Sequence, residues 1–377
     1  MKVLIVSLQK RGGGAIDALG MSNGLCANGF HHTMLISLGN ELTGEFTENE
    51  FRHVVRVPTY GTTMASFLGK TLALSRPLGL VREIKRIRPD IVHITHFQPW
   101  SLFIFWMKPF LRFRIAYAVH ENPYTRKDVK NPWIMGFLER RFIHSADVVL
   151  AYSDFIKHQL ARHIPETKIR VSYLGAYDTF CPGFKAAPVD PASDLKLLFF
   201  GRIKPFKGVD VLVHAMEICK KKGVKAHLTI AGEGGAEGGL VDENKVNEAG
   251  VTWMNGFVSD EEACRLLSAA DALVVPYKEA TQTSPGALAL GCKMPVIATA
   301  VGGLSEQVVH GVNGLLARPN DAKDLAHAIE KLAKDKRLVA EFREGARRLY
   351  DEKFGWKVVA KKLTEEIYSS LYADAHR

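Results

Sequence analysis

The sequence predicts an α/β protein with two doubly wound parallel sheets. Short apolar runs bounded by turns alternate with longer charged segments, a pattern typical of strands that alternate with helices. The runs of the first half are VLIVSL, HTMLISL, DIVHITHF, FRIAYAVH, DVVLAYS and IRVSYL, and the pattern starts again with LKLLFFG, HLTIAGEG, VTWMNGF, DALVVPY and MPVIATA. With 377 residues the chain also exceeds the size at which one hydrophobic core usually stops growing.

The two halves meet at a proline-rich linker, CPGFKAAPVDPAS, at residues 181–193. We therefore expect Rossmann-like domains at residues 1–185 and 186–354. Ligands of such sheets bind beyond the carboxyl ends of the strands, so functional residues are expected in the turns that follow strands.

Composition and cysteine spacing indicate a globular protein in a reducing, cytoplasmic setting. Hydrophobic residues make up 47% of the chain and charged residues 24%. The five cysteines are at least 28 residues apart, which fits neither a C-x-x-C metal site nor a disulfide framework. The N-terminal run MKVLIVSLQK is too short for a signal peptide. The most apolar stretch is interrupted by Lys108, Pro109 and Arg112, so we expect no helix to span a membrane.

Positive charge is concentrated in the first half of the chain. The net charge is +10, and residues 1–185 hold 24 Lys and Arg against 14 Asp and Glu, whereas residues 186–377 hold 26 of each. Such a region attracts anionic partners, which leaves phospholipid, a lipid-linked phosphate and nucleic acid as alternatives. No nucleic-acid reader motif accompanies the charge, so nucleic acid is not an expected partner.

Two stretches of the basic half combine cations with large apolar side chains. They are LALSRPLGLVREIKRIR at residues 72–88 and PWSLFIFWMKPFLRFR at residues 99–114. Either stretch suits a segment lying at a bilayer interface. The alternative is a helix that packs its apolar side on the sheet and leaves its charges in solvent. Both interpretations stay open for the first stretch, and the second favours membrane contact.

Two glycine-containing turns stand where ligands of such sheets bind. The glycines at residues 12–14 follow the first strand and precede a helix, so they favour either close approach of an anionic ligand or an ordinary tight turn. The sharper signal is FFGRIKPFKG at residues 199–208, where Arg202 and Lys207 lie between a strand and a helix. Two cations beside helix N-terminal amides make a diphosphate clamp, and the alternative is a solvated basic loop.

The basic loop resembles the G-R-x-x-x-x-K-G motif of glycosyltransferase family four, whose members are retaining enzymes of the GT-B fold. The further segments that resemble this family in order and spacing are LTIAGEG (228–234), NGFVSD (255–260), DALVVPY (271–277), PVIAT (295–299) and NGLL (313–316). The resemblance implies an α/β GT-B protein with two Rossmann-like domains facing across a cleft. It also implies a closing helix at about residues 355–377 that crosses back onto the first domain.

The resemblance implies how a nucleotide-sugar donor is bound. Arg202 and Lys207 would bind the diphosphate and stabilise the charge on the leaving group without a metal ion or other cofactor. His120 aligns with the family histidine that faces the donor sugar, and its alternative role is a structural hydrogen bond. His93 and His96 are candidates for the acceptor side. The residues expected to bind the donor are Gly13, Gly14, Gly201, Arg202, Lys207, Gly232, Phe257, Glu279, Thr283, Ser284, Pro285, Gly286, Ala287 and Leu288.

The segment KEATQTSPGALALGCKMPVIATAVGG, at residues 278–303, departs from the family pattern. The family has a pair of glutamates between two prolines. Pro276 and Pro295 keep the expected spacing here, and the glutamates then fall on Ala280 and Leu288. A leucine cannot accept the hydrogen bonds of the donor ribose. Either the turn at residues 281–286 still holds phosphate and sugar, which favours retained activity, or the chain is a degenerate homologue with a binding or scaffolding role.

The sequence thus favours a cytoplasmic glycosyltransferase, peripheral on the inner face of the membrane. It would transfer a hexose-type sugar from a nucleotide-sugar donor to a lipid-linked or saccharide acceptor in cell-surface polysaccharide assembly. The alternatives are a sugar-nucleotide epimerase on the same fold and a catalytically silent homologue.

Overall fold

The computed structural model describes residues 1–10, 12–59, 75–124, 132–234, 243–280 and 284–376. The chain forms two compact units, which are Met1–Gly175 together with Trp356–Arg377, and Ala176–Gly355. The division falls between residues 175 and 176, whereas the sequence analysis placed it between residues 185 and 186. The second unit begins early because the N–H of residue 176 donates to the carbonyl of residue 354, and that of residue 177 to the carbonyl of residue 287.

Seven strands build the first unit: β1 (Val3–Ser7), β2 (His32–Ser37), β3 (Arg52–Val57), β4 (Ile91–Ile94), β5 (Arg114–Val119), β6 (Val148–Ala151) and β7 (Ile169–Val171). They form one parallel sheet in the order β3-β2-β1-β4-β5-β6-β7. The central strands β1 and β4 are buried along their whole length. Parallel sheets are covered on both faces, which is why these strands appear as continuous apolar runs in the sequence.

Six strands build the second unit: β8 (Leu195–Phe200), β9 (Ala226–Gly232), β10 (Thr252–Asn255), β11 (Ala272–Val275), β12 (Val296–Thr299) and β13 (Gly314–Ala317). They form a second parallel sheet in the order β10-β9-β8-β11-β12-β13. In both sheets the strand order reverses beside the first strand, between β1 and β4 in one sheet and between β8 and β11 in the other. In doubly wound sheets, ligands bind beyond the carboxyl ends of the strands at this switch point.

The helices that connect the strands are named in chain order. They are α1 (Gly13–Ala27), α2 (Ser75–Ile87), α3 (Ser101–Leu111), α4 (Pro132–Ser145), α5 (Asp154–Leu160), α6 (Val209–Lys221), α7 (Glu243–Glu248), α8 (Asp260–Ala269), α9 (Ser284–Gly291), α10 (Leu304–Gln307), α11 (Ala322–Lys334), α12 (Arg337–Leu349), α13 (Trp356–Lys362) and α14 (Ser369–Ala375). None of the described helices has both the length and the apolar character that crossing a bilayer requires.

Trp356 anchors the C-terminal segment within the first unit. A Cβ at residue 20 would lie 2.0 Å from Trp356 Nε1, and one at residue 175 would lie 2.3 Å from its Cε2. A Cβ at residue 24 would lie 2.3 Å from the carbonyl oxygen of Trp356. Only glycine fits at these three positions, because the indole and the α13 backbone occupy the space of a side chain. Close packing of α1 against α13 therefore depends on Gly20 and Gly24, and Gly175 leaves room for the same indole.

Cys181 and Cys264 form a disulfide within the second unit. The expectation of no disulfide is wrong for this pair. The two residues are 83 apart in the sequence, but folding of α8 beside the linker brings their Cα atoms to 5.7 Å. Spacing along the chain does not reveal such a contact. Cys26, Cys219 and Cys292 are free thiols, and the inference from cysteine usage to a reducing compartment loses its support.

Candidate functional site

The glycine turn after β1 lies at the carboxyl end of that strand, where ligands of doubly wound sheets bind. Gly12 has a φ of 85°, and its N–H donates to Oε1 of Glu41 over 2.7 Å. The next two glycines, Gly13 and Gly14, open α1. A Cβ at residue 14 would lie 1.8 Å from Oε1 of Gln9, so the side chain of Gln9 occupies the space above the turn. Gly12 therefore suits the turn's own backbone conformation, whereas Gln9 could move aside at residue 14, and contact of the turn with a ligand stays a prediction.

His120 follows β5 and lies at the same edge of the sheet. Its side chain is 18% exposed, and its Nε2 lies 2.8 Å from the carbonyl oxygen of Thr95, the residue after β4. The imidazole packs edge-on against Tyr152, with 4.5 Å between ring centroids, and beside His96 at 4.6 Å. The fold therefore brings together side chains that follow β4, β5 and β6.

The two histidines predicted for the acceptor side have different environments. His96 is partly exposed and packs on His120. His93 is fully buried within β4, and its Nδ1 lies 2.6 Å from the hydroxyl of Tyr368. Burial, with a smaller effect of the His120 charge, lowers the pKa of His93 to about 3, so its imidazole is neutral at physiological pH. The structure thus places His96 beside the candidate catalytic histidine and His93 in the core.

Asp17 on α1 is a candidate site residue that the sequence did not reveal. It is fully buried, and its Oδ2 lies 3.7 Å from Nε2 of His120. Burial raises the pKa of Asp17 to about 7, and the hydroxyl of Tyr152 opposes part of this effect. The available signal was an acidic residue in the first half of a largely apolar helix that directly follows a glycine turn. Acidic side chains are rarely buried without a partner, so this pattern marks a candidate functional position.

The basic loop of the second unit follows β8. Gly201 has a φ of 126°, and a Cβ there would lie 3.3 Å from Nζ of Lys207. Lys207 is partly buried, with Nζ 5.1 Å from the ring centroid of Tyr277. Burial lowers the pKa of Lys207 to about 8, and the nearby positive charges of Arg202 and Lys204 lower it further. The loop therefore concentrates cations at the carboxyl end of β8, where an anionic ligand would relieve their mutual repulsion.

The loops after β8, β9 and β11 pack through glycines. Gly208 has a φ of 66°, and a Cβ there would lie 2.0 Å from the carbonyl oxygen of Pro276. Gly232, at the end of β9, has a φ of 149°, and its Cβ would lie 2.2 Å from the carbonyl oxygen of Gly201. The N–H of Lys278 donates to the carbonyl of Phe206 over 2.8 Å. These contacts fix the start of α6 beside the loop that follows β11.

The segment with the two missing glutamates runs from that loop into α9. Glu279 is exposed and Ala280 is partly buried, whereas Thr283 lies outside the described residues. Leu288 is 4% exposed and belongs to the core of the second unit. The other predicted donor-binding positions nearby are Ser284, which is exposed, Pro285, which is partly buried, and Gly286 and Ala287, which are buried. Phe257, after β10, is 88% exposed.

Comparison with known proteins identifies the family. A family described as "Glycosyltransferase Family 4" matches residues 11–177, and one described as "Glycosyl transferases group 1" matches residues 194–335. The D-inositol 3-phosphate glycosyltransferase of Thermobispora bispora is 30% identical over 357 residues, which cover 86% of this chain and 81% of that protein. The chain belongs to glycosyltransferase family four. The predicted family and the assignment as a glycosyltransferase are thereby confirmed.

Solved structures confirm the GT-B fold of this family-four glycosyltransferase. HepE from Anabaena, solved with UDP and glucose, superposes with a TM-score of 0.69 at 18% identity and covers 98% of this chain and 100% of its own. A Listeria monocytogenes protein assigned as a UDP-N-acetylglucosamine 2-epimerase gives a TM-score of 0.65 at 13% identity, with 99% and 97% coverage. Both likenesses concern the fold alone. The two Rossmann-like units predicted from the sequence are confirmed.

Proposed function

We propose that this glycosyltransferase transfers a hexose-type sugar, with retention of configuration, from a nucleoside-diphosphate sugar to a lipid-linked or saccharide acceptor. We place the reaction in cell-surface polysaccharide or glycan assembly. The observation that carries the proposal is the cationic loop after β8. Arg202 and Lys207 lie on the loop between β8 and α6, at the switch point of the second sheet, where a diphosphate would meet two cations and helix N-terminal amides. The binding of UDP by HepE supports a nucleoside diphosphate as leaving group.

The same loop supports a reaction that needs no metal ion or other cofactor. In a glycosyl transfer, negative charge develops on a diphosphate oxygen, and preorganised cations can stabilise that charge. Among the described residues, no group of three or more His, Cys, Asp or Glu side chains is placed to hold a metal ion. We expect transfer rates in the presence of EDTA to equal those measured with Mg²⁺, and a rate that depends on added Mg²⁺ would contradict this part of the proposal.

The donor is tested first by binding and then by transfer. A thermal-shift panel with UDP-, GDP-, ADP- and dTDP-sugars should show one base that stabilises the protein most, because a ligand that binds only the folded state raises its stability. The best donor is then incubated with candidate lipid-linked and saccharide acceptors. No shift with any nucleotide sugar would contradict the proposal and favour a catalytically silent homologue.

An epimerase remains the second candidate, because the Listeria protein shares the fold. An epimerase would convert the donor sugar without an acceptor. We expect the donor incubated alone to stay unchanged in product analysis, whereas accumulation of an epimer would establish the alternative.

We also propose that the protein acts at the anionic inner face of a membrane, through helices α3 and α4. Their large exposed side chains are Leu102, Trp106 and Phe110 on α3 and Ile134 and Phe137 on α4, with Phe110 exposed to 71%. Trp106 and Phe110 pack edge-on at 5.7 Å and form one apolar surface. Apolar side chains beside cations suit the boundary between headgroups and acyl chains, and the surplus of positive charge in residues 1–185 complements anionic lipid.

Flotation with liposomes tests this surface. Vesicles that contain anionic lipid should bind the protein at low salt and release it at high salt. Trp106→Ser combined with Phe110→Ser should weaken binding at least about tenfold, since each change removes apolar area that the membrane would bury. Leu38→Ser is the matched control, because Leu38 is 52% exposed elsewhere on the same unit. Equal binding of the double variant and the control would refute the assignment of this surface.

A further inference from the structure

Asp17 is a buried acid that the proposed chemistry does not yet use. Its carboxylate is fully buried on α1, where neither oxygen has an ideal hydrogen-bond geometry and the hydroxyl of Tyr152 stabilises its charge only in part. A buried carboxylate with so little compensation is costly, because it loses its hydration. Its nearest basic group is the imidazole of His120, with Oδ2 3.7 Å from Nε2.

The position of the proton on His120 follows from its contact with Thr95. A carbonyl oxygen can only accept, so Nε2, which lies 2.8 Å from it, carries a hydrogen. Any further proton therefore binds at Nδ1 and makes the ring a cation. A negative charge at 3.7 Å from the ring favours that cation.

The other groups around His120 are neutral or conditionally charged. His96 packs against it from the end of β4, and Tyr152 from the end of β6. His93, inside β4, stays neutral because burial lowers its pKa to about 3. Asp17 is the carboxylate that faces His120 from α1, so within this cluster it supplies the negative charge.

We propose that Asp17 is a positioning residue for His120, holding the imidazole in place and favouring its protonated form, so that His120 meets the donor as a cation. This inference rests on the proposed function, in which His120 faces the donor sugar. A cationic imidazole donates stronger hydrogen bonds to substrate oxygens than a neutral one. Burial raises the pKa of Asp17 to about 7, within the range in which histidines titrate. The two groups therefore bind protons as a coupled pair.

The test measures the titration of His120 directly and needs no enzymatic activity. Protein labelled with ¹³C-histidine is titrated by NMR, and the His120 signal is assigned by its loss in His120→Gln. Replacement of Asp17 by the similarly shaped Asn should lower the pKa of His120 by about one unit or more, since an opposite charge at this distance moves a pKa by about 1 to 3 units. A decrease of less than about 0.5 units overturns the proposal.

Two further variants separate electrostatics from packing. Tyr152→Phe removes the hydroxyl that stabilises the Asp17 carboxylate, so it should lower the pKa of His120 in the same direction by a smaller amount. Ser22→Ala is the control, because Ser22 is equally buried on α1 but is bonded to His32 rather than to His120. It should leave the His120 titration unchanged, and a shift as large as that of Asp17→Asn would mean that packing of α1 sets the pKa.

Transfer kinetics then connect the pair to the reaction. The lowered pKa of His120 in Asp17→Asn should also appear in the pH profile of kcat/KM. The alkaline limb of this profile should move to lower pH by the same amount as the NMR titration. If the wild-type protein transfers no sugar while the NMR shift is present, the proposed function fails and the Asp17–His120 pair stands. A normal pH profile despite the NMR shift would remove the pair from the mechanism.

Discussion

Asp17→Asn should stabilise the first unit at alkaline pH and leave its stability almost unchanged near pH 4. Burial raises the pKa of Asp17 from 3.8 to about 7 in the folded chain. A group whose folded pKa is raised contributes stability that is present below its unfolded pKa and is lost as the pH rises through the folded pKa. At about 1.4 kcal/mol per pKa unit, the gap corresponds to about 4 kcal/mol, which Asn would recover above pH 7.

Urea unfolding of a Trp253→Phe background measures this effect in the first unit. Of the five tryptophans in the chain, Trp253 is the one in the second unit, so the remaining fluorescence reports the first. The free energy of unfolding is compared between Asp17→Asn and its parent from pH 4 to pH 8. Both proteins also carry His120→Gln, which removes the imidazole coupled to Asp17. Buried groups that do not face Asp17, such as His32 with its pKa lowered to about 4, cancel in this difference because both proteins contain them.

The expected result is a stability difference near zero at pH 4 that grows to about 4 kcal/mol at pH 8. Ser22→Ala in the same background should give a difference that is constant above about pH 6.5, because it removes no titrating group and the His32 that it bonds is already neutral there. A pH-independent difference for Asp17→Asn would show that the carboxylate titrates as it does in solvent and that burial does not raise its pKa.

Three further predictions concern the second unit. The affinity for UDP, measured by calorimetry, should be constant up to about pH 7.5 and then fall by as much as tenfold per pH unit. The reason is that burial lowers the pKa of Lys207 to about 8, so the side chain loses its charge there. An affinity that does not change up to about pH 9.5 would contradict a contact between Lys207 and phosphate. Arg202→Ala combined with Lys207→Ala should reduce kcat/KM by at least about 10³-fold with an unchanged circular dichroism spectrum, since a single donor to a developing charge is worth about 10² to 10³; Lys204→Ala should cost far less, and near-normal turnover of the double variant would refute the clamp. Leu288→Ala should destabilise the second unit by about 2 to 5 kcal/mol, monitored by Trp253 fluorescence. Leu288→Met should cost less than about 1.5 kcal/mol. Equal stability of both variants and the unmodified protein would mean that the side chain at residue 288 is not packed in the core.

The elements that the sequence predicted correctly are those governed by local rules. Buried parallel strands produce apolar runs, and the loop after β8 needs glycines at residues 201 and 208, both with positive φ, so its motif is visible in the sequence. What the sequence did not reveal depends on contacts between distant segments. Cys181 meets Cys264 only after α8 packs beside the linker. Likewise, Asp17 becomes a candidate site residue only because β5 brings His120 to within 3.7 Å of it, at the same edge of the sheet.

The burial of Leu288 changes how donor recognition should be distributed in this chain. The loop after β8, expected to meet the phosphates, keeps glycines where its backbone tolerates no side chain, whereas the position expected to meet the ribose holds a core side chain at 4% exposure. Burial of a leucine is worth about 1.5 to 3 kcal/mol, so Leu288 stabilises the fold, and its side chain offers no hydrogen-bond acceptor to a ribose. Most of the affinity for a nucleoside diphosphate should then come from its phosphates, and pyrophosphate should bind the protein within about tenfold of UDP, a difference of about 1.4 kcal/mol or less. Competition calorimetry measures the ratio, and a preference for UDP above about a hundredfold would show that other residues recognise the nucleoside and that the loss of the glutamate at residue 288 has been compensated.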